Sequence, residues 1–110
     1  MDKELHILIL EDLPSDVELA QRELKIILKN YTIKVVETEE DFTKALTIFK
    51  PDLIISDYLL PSFDGLSALK IKKNISPFIP FVVLTGSMNE NTAVDCMKAG
   101  ADDYVIKEHI

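Results

Sequence analysis

The sequence predicts an α/β fold, a doubly wound parallel sheet with helices on both faces. Two observations carry that prediction. Short, nearly continuous apolar runs recur at Leu5–Leu10, at Leu53-Ile54-Ile55 and over residues 78–84, and strands buried on both faces need such runs. Between them apolar residues step at helical spacing. The order is therefore β-α-β-α-β-α-β-α-β, an alternation that builds a parallel sheet through right-handed crossovers.

The elements follow in turn. The first strand is Leu5-His6-Ile7-Leu8-Ile9-Leu10. The first helix carries Val17, Ala20, Leu24 and Ile27 on one stripe, accepts Pro14 in its first turn, and has capping-box spacing from Ser15 to Glu18. Residues 32–37 form a more polar second strand, suited to a sheet edge. Phe42, Ala45, Leu46 and Phe49 make the second helical stripe, opened by Thr38 and followed by acids that complement a helix N-terminus. The third strand is Leu53-Ile54-Ile55. A third helix opens at Asp64 and carries Leu66 and Leu69. The fourth strand lies in residues 78–84. Ala93, Val94 and Met97 mark a fourth helix stopped by Gly100. Tyr104-Val105-Ile106 is the last strand. No sequence remains for a fifth helix, so residues 1–110 read as one domain cut after the fifth strand. That leaves apolar groups of helix one, such as Leu19 and Ile26, exposed or covered by a partner.

Composition narrows the function classes. The 110 residues amount to one domain. Hydrophobic residues at 47% and charged residues at 28% supply both a core and a solvated surface, which excludes a disordered tail. No apolar run approaches the ~20 residues that span a bilayer. The start Met1-Asp2-Lys3-Glu4 lacks a signal-peptide core. Cys96 stands alone, which excludes an internal disulfide and a cysteine zinc cluster. These features read as a cytoplasmic chain without membrane contact. Twelve Lys and Arg against 19 Asp and Glu leave a net charge of −7, which opposes direct nucleic-acid binding. A Walker loop and a G-x-G-x-x-G are both missing.

In an open parallel sheet, ligands bind at the carboxyl ends of the strands where strand order reverses. Strand one ends at Glu11 and Asp12, strand three at Asp57, strand four at Thr85 and Gly86, and strand five at Lys107. Carboxylates gathered on one rim repel one another unless one is protonated or a cation intervenes. A hard divalent cation with oxygen ligands, Mg²⁺ above all, removes the conflict and leaves a carboxylate free to attack phosphorus. A metal, a lysine and a hydrogen-bond donor are what phosphoryl transfer requires.

Over its whole length the sequence resembles the receiver domain of two-component response regulators. The resemblance rests on Glu11-Asp12 with Pro14 after it, on Asp57 with Pro61 and Gly65 downstream, and on Thr85-Gly86. It rests also on Ala99-Gly100-Ala101-Asp102-Asp103-Tyr104 and on Lys107. It implies a flavodoxin-like five-stranded sheet in the order 2-1-3-4-5, with the fifth helix missing here. It implies that Asp57 is the phosphoacceptor. Glu11, Asp12, Asp57 and the main-chain carbonyl of Leu59 would hold Mg²⁺; Thr85, Gly86 and Lys107 would bind the phosphoryl group. Tyr104 would be an aromatic switch drawn inward with Thr85. The implied donor is a histidine kinase or a histidine phosphotransfer protein, and the implied output surface is the face of helix four and strand five. The parent chain would be of the hybrid histidine kinase type, an expectation from the ending Tyr-Val-Ile-Lys-Glu. Glu108 replaces the family's proline after the lysine, which favours a trans bond there. The resemblance implies that Leu59 and Ser87 hold positions that adjust how fast the acyl phosphate hydrolyses; aliphatic Leu59 cannot orient the attacking water, which predicts a long-lived phosphate.

Each of these residues also has a plainer reading. Glu11-Asp12 alone suits a helix N-terminal charge pair, Asp57 a strand-ending turn, Thr85-Gly86 a turn, Lys107 a surface lysine and Tyr104 a packed aromatic. His6 and His109 have no ligand spacing to a partner. Lys70, Lys72 and Lys73 read as a solvated helix face, and Cys96 as a small packed residue. The combination favours a phosphoacceptor switch rather than a turnover enzyme. The alternatives are a receiver-like interaction module that works without phosphate, and a flavin protein or phosphohydrolase on the same topology.

Overall fold

The structure is a computed structural model. It describes residues 4–58, 65–85 and 90–107, the side chains of Thr85 and residues 90–93 excepted. The elements run β1 (Leu5–Leu10), α1 (Pro14–Ile27), β2 (Tyr31–Val36), α2 (Glu39–Ile48), β3 (Leu53–Asp57), α3 (Gly65–Ile75), β4 (Phe81–Thr85), α4 (Glu90–Lys98) and β5 (Asp103–Ile106). The five strands are parallel, in the order β2-β1-β3-β4-β5. Among the described residues four helices lie between them, as the alternation predicts. No helix among the described residues is long and apolar enough to cross a membrane.

Strand periodicity divides the core. Leu8 and Leu10 of β1, Ile54 of β3 and Phe81 and Val83 of β4 point to one face, where they pack against Phe42, Ala45 and Leu46 of α2, Ala68 and Leu69 of α3 and Cys96 of α4. The alternate residues Ile7, Ile9, Ile55 and Leu84 point to the other face, against Ala20 and Leu24 of α1. Among the described residues, the helix that covers this second face is α1. Beside it runs an apolar groove of about 290 Å³, lined by residues that include Ile27, Leu53, Val82 and Val105.

Several expectations need correction. The capping box does not form. The N-cap of α1 is Leu13, with no side-chain cap bond, and Pro14 takes the first helical position. Pro14 presets the helical φ and has no N–H to satisfy, so the helix starts one residue before Ser15. Residues 78–80 are not part of β4. Pro80 has no N–H for the ladder, and a turn closed by Ile79 N–H donating to the Ser76 carbonyl (3.3 Å) leaves Phe78 96% exposed. Ile27 is exposed, since the stripe of α1 ends its buried contact at Leu24, and Leu19 is half-buried, whereas Ile26 is exposed as expected. Lys72 is not solvated: it is buried, and its ammonium donates to the Pro77 carbonyl at 2.8 Å. The helix opening at Asp64 lies outside the described residues, as does the Lys107-Glu108 bond.

Thr38 caps α2 as expected, its Oγ1 accepting from Asp41 N–H at 3.1 Å. Gly100 stops α4 with φ of 109°, and Ala101 N–H donates back to the Cys96 carbonyl. His6 stacks on Phe49 with ring centroids 4.8 Å apart and shares a 2.8 Å hydrogen bond with the Phe49 carbonyl, a structural role.

Candidate functional site

The chain leaves β1 to build β2 on one side and then crosses to build β3 on the other. The loops after β1 and β3 therefore diverge and leave a crevice at the strands' carboxyl ends. Glu11 follows β1 directly. Its N–H continues the ladder by donating to the Val36 carbonyl at 3.1 Å, which turns the side chain into the crevice, where it is 3% exposed. Glu11 Oε2 accepts from the N–H of Asp12 at 2.9 Å and of Leu13 at 3.4 Å. These bonds serve the two amides just ahead of the first helical residue, Pro14.

Asp57 is the last residue of β3. Buried Ser56 donates its hydroxyl to the Asp57 carbonyl at 2.8 Å, and Tyr58 N–H pairs with the Leu84 carbonyl at 3.3 Å. Gly65 opens α3 so close to this turn that a Cβ there would lie 3.1 Å from the Asp57 carbonyl oxygen. Carboxylate oxygens of Glu11, Asp12 and Asp57 lie within 4.8 Å of one another. Lys107, just past β5, reaches into the same crevice. Its Nζ stands 2.9 Å from Glu11 Oε1, 2.7 Å from Asp16 Oδ2 and 3.5 Å from Asp57 Oδ2.

The electrostatics are uneven. Glu11, Asp16 and Asp57 contact the Lys107 ammonium, and Asp12 lies beside Glu11 and Asp57. Burial pushes the Glu11 carboxyl up to about 7; the hydrogen bond from Lys107 opposes this and the charge of Asp57 reinforces it. Burial alone would lower Lys107. Hydrogen bonds to Asp16 and Glu11, with the charges of Asp57 and Glu11, outweigh it and hold the ammonium above the usual lysine range. The donor set is all oxygen and carries surplus negative charge. Glu11, Asp12 and Asp57 could therefore hold a hard cation, and a nucleophilic carboxylate would stand beside a fixed ammonium. A cleft of about 530 Å³ runs from Glu11 and Asp12 past Glu18 and Lys25 of α1 to Val35 of β2.

Among the residues expected from sequence, Glu11, Asp12, Asp57 and Lys107 converge. The backbone of Thr85 pairs with Ile106, which brings the ends of β4 and β5 together. The Thr85 side chain, Gly86, Leu59 and Ser87 lie outside what is described. Tyr104 of β5 pairs with Val83 of β4 and is 39% exposed. Sequence reasoning passed over Asp16. Its signal was there: an acid one helical turn beyond Asp12, in the first turn of α1.

Comparison with known proteins gives one family. Residues 7–109 match the response regulator receiver domain. Protein RcaC of Microchaete diplosiphon is 34% identical over 103 residues, which are 94% of this chain and 16% of that protein. The chain likewise spans 16% of the first curated relatives it matches. The crystal structure of the phosphorylated cyanobacterial phytochrome response regulator RcpA has a TM-score of 0.80 at 25% identity, covering 94% of this chain and 81% of that one. The Mn²⁺-bound form of response regulator Rcp1 has a TM-score of 0.75 at 27% identity, covering 93% of this chain and 80% of that one.

Proposed function

This chain belongs to the response regulator receiver domain family, and from that premise we propose that it is a phosphoacceptor switch of a two-component phosphorelay. Asp57 takes the phosphoryl group. The observation that carries this reading is the meeting of Asp57, Glu11 and Asp12 with Lys107 at the exits of three strands.

In the proposed step an Asp57 carboxylate oxygen attacks phosphorus and forms an O–P bond. The P–N bond of a phosphohistidine breaks, and the imidazole nitrogen keeps the electron pair. Lys107 lies where its ammonium meets a phosphoryl oxygen and offsets its charge. Glu11, Asp12 and Asp57, with the Leu59 carbonyl, are the residues that would hold Mg²⁺. When bound, the ion supplies positive charge against the carboxylates and the phosphoryl oxygens. Thr85 and Gly86 complete the phosphoryl contacts by resemblance, and Tyr104 responds to Thr85. The phosphorylated state of RcpA and the Mn²⁺ of Rcp1 support both parts of the reading.

The proposed donor is a histidine kinase or histidine phosphotransfer protein. The output partner uses the face of α4 and β5. Residues 1–110 act as one receiver unit in the cytoplasm, without direct nucleic-acid or membrane contact. The domain catalyses its own phosphorylation and dephosphorylation rather than turnover of a separate substrate. The other reading, an interaction module that works without phosphate, finds no support in a complete acidic site.

The test is incubation with Mg²⁺ and acetyl phosphate, followed by intact mass. The expected result is a gain of one phosphoryl group, abolished by Asp57→Asn. No gain at saturating donor overturns the reading.

A further inference from the structure

Among the described residues, the shortest contact of the Lys107 ammonium is with neither Asp57 nor the buried glutamate. It is with Asp16, at 2.7 Å, against 2.9 Å to Glu11 and 3.5 Å to Asp57. Asp16 is the third residue of α1, its N–H donating to the Leu13 carbonyl at 3.0 Å, so its backbone is fixed by the helix start. Its side chain is 22% exposed and that of Lys107 13%, so water competes weakly for this bond. The ammonium is thus drawn to the α1 side of the crevice, beyond hydrogen-bond distance of Asp57. A phosphoryl group on Asp57 would place anionic oxygens where they compete with Asp16 for the same three protons.

We propose that Asp16 is a positioning residue that acts through Lys107. It holds the ammonium against α1 while Asp57 is free and releases it when Asp57 carries a phosphoryl group. The inference rests on the phosphoacceptor reading above. The hold opposes the phosphorylated state, and release leaves the first turn of α1 with an unpaired carboxylate that the resting state lacks. Asp16 thereby ties the chemistry at β3 to the start of α1.

The test uses beryllium fluoride with Mg²⁺ as the phosphoryl stand-in, titrated by calorimetry into the full chain. Removing a charge-assisted hydrogen bond that competes for Lys107 should tighten binding about tenfold in Asp16→Asn, with Asp16→Glu restoring the wild-type affinity. In a Lys107→Met background the same Asp16→Asn change should shift affinity by less than about twofold, since a residue that acts through another loses its effect when that other is removed. Unchanged or weaker binding in Asp16→Asn overturns the proposal. So does an equal gain in the Lys107→Met background, because plain charge repulsion would give that result. Should a variant fail to fold, the wild-type carboxyl ¹³C resonance of Asp16 decides: it moves on adding beryllium fluoride if Lys107 leaves, and its constancy overturns the proposal. If acetyl phosphate adds no mass to the wild type, the phosphoacceptor reading fails and this inference falls with it. If mass is gained and the affinities do not move as stated, this inference alone fails.

Discussion

Glu11 accepts a 2.9 Å hydrogen bond from Lys107 across 96 positions of sequence, joining the exit of the first strand to the residue after the last. The bond is buried at the glutamate end and stands among three other carboxylates. Its energetic weight therefore lies in what would happen without it.

Lys107→Met removes the ammonium among Glu11, Asp16 and Asp57. Breaking a buried pair strands charge in a poorly solvated site, so the metal-free domain should lose about 3 kcal/mol at neutral pH. Mg²⁺ should restore a larger share of stability to this variant than it adds to the wild type. Urea unfolding in chelator and in Mg²⁺ measures both quantities.

The pH dependence should run opposite to the usual carboxylate case. The Glu11 carboxyl sits at about 7 in the fold, against an ordinary value of 4.5. Below 4.5 both folded and unfolded chains hold this proton, and it has no effect. Between 4.5 and 7 the unfolded chain has released the proton and the fold retains it, so stability falls as pH rises. The loss is complete above 7 and amounts to about 3 kcal/mol for this group. Glu11→Gln should flatten the fall in unfolding curves taken across this range. A cation competes with the same proton, so Mg²⁺ affinity should weaken about tenfold per pH unit below that carboxyl's titration. Calorimetric Mg²⁺ titrations on either side of neutrality check this.

Two residues share left-handed backbone and should respond with opposite sign. Gly100 has φ of 109° and Lys50 has φ of 54°. Gly100→Ala forces a Cβ into that conformation and against the Lys73 side chain, whose Cε would lie 2.5 Å away. The cost should be about 1–2 kcal/mol. Trimming Lys73 to alanine should not recover it, because the side chain is flexible and the backbone is not. Lys50→Gly relieves the same strain and should stabilise by roughly 0.5 kcal/mol after the added freedom of the unfolded chain is subtracted. Thermal and urea unfolding report each change.

Phe78 and Phe81 stand three residues apart in one apolar run and differ completely in environment, at 96% and 0% exposure. Phe81→Ala should cost about 3–5 kcal/mol through lost transfer and a cavity between β4 and the helices. Phe78→Ser should change stability by less than about 0.5 kcal/mol. Equal losses in unfolding experiments would show that Phe78 is packed after all.

Much of this molecule is legible in the order of its residues. The runs around Ile7, Ile54 and Val83 predict strands buried on both faces because only such strands tolerate unbroken apolar sequence. The helical stripes supply the layers that bury them. Acids at the ends of the first and third runs, with Lys107 at the end of the fifth, indicate a charged crevice, because a parallel sheet sends those ends to one rim. The exposure of Thr32 and Lys34 likewise follows from the polar second run at the sheet edge.

What the linear order leaves open depends on distances between residues far apart in sequence. Phe78 and Phe81 look alike in a hydrophobicity pattern, and only the start of pairing at Pro80 separates turn from strand. Lys72 looks like its neighbours Lys70 and Lys73, and the Pro77 carbonyl at the end of α3 takes it inside. Ser15 and Glu18 have capping spacing, but Glu11 serves the loop amides instead and Pro14 starts the helix. The sequence by itself determined the alternation of strands and helices, the two-faced core and the placing of Glu11, Asp12, Asp57 and Lys107 at strand ends, because period and strand ends are local properties of the chain; the order of the strands came from the family resemblance. The tertiary structure decided that Lys107 lies nearer to Asp16 than to Asp57. An ammonium among several carboxylates settles where distances and burial are most favourable, and those arise only when β1, α1, β3 and β5 are packed together.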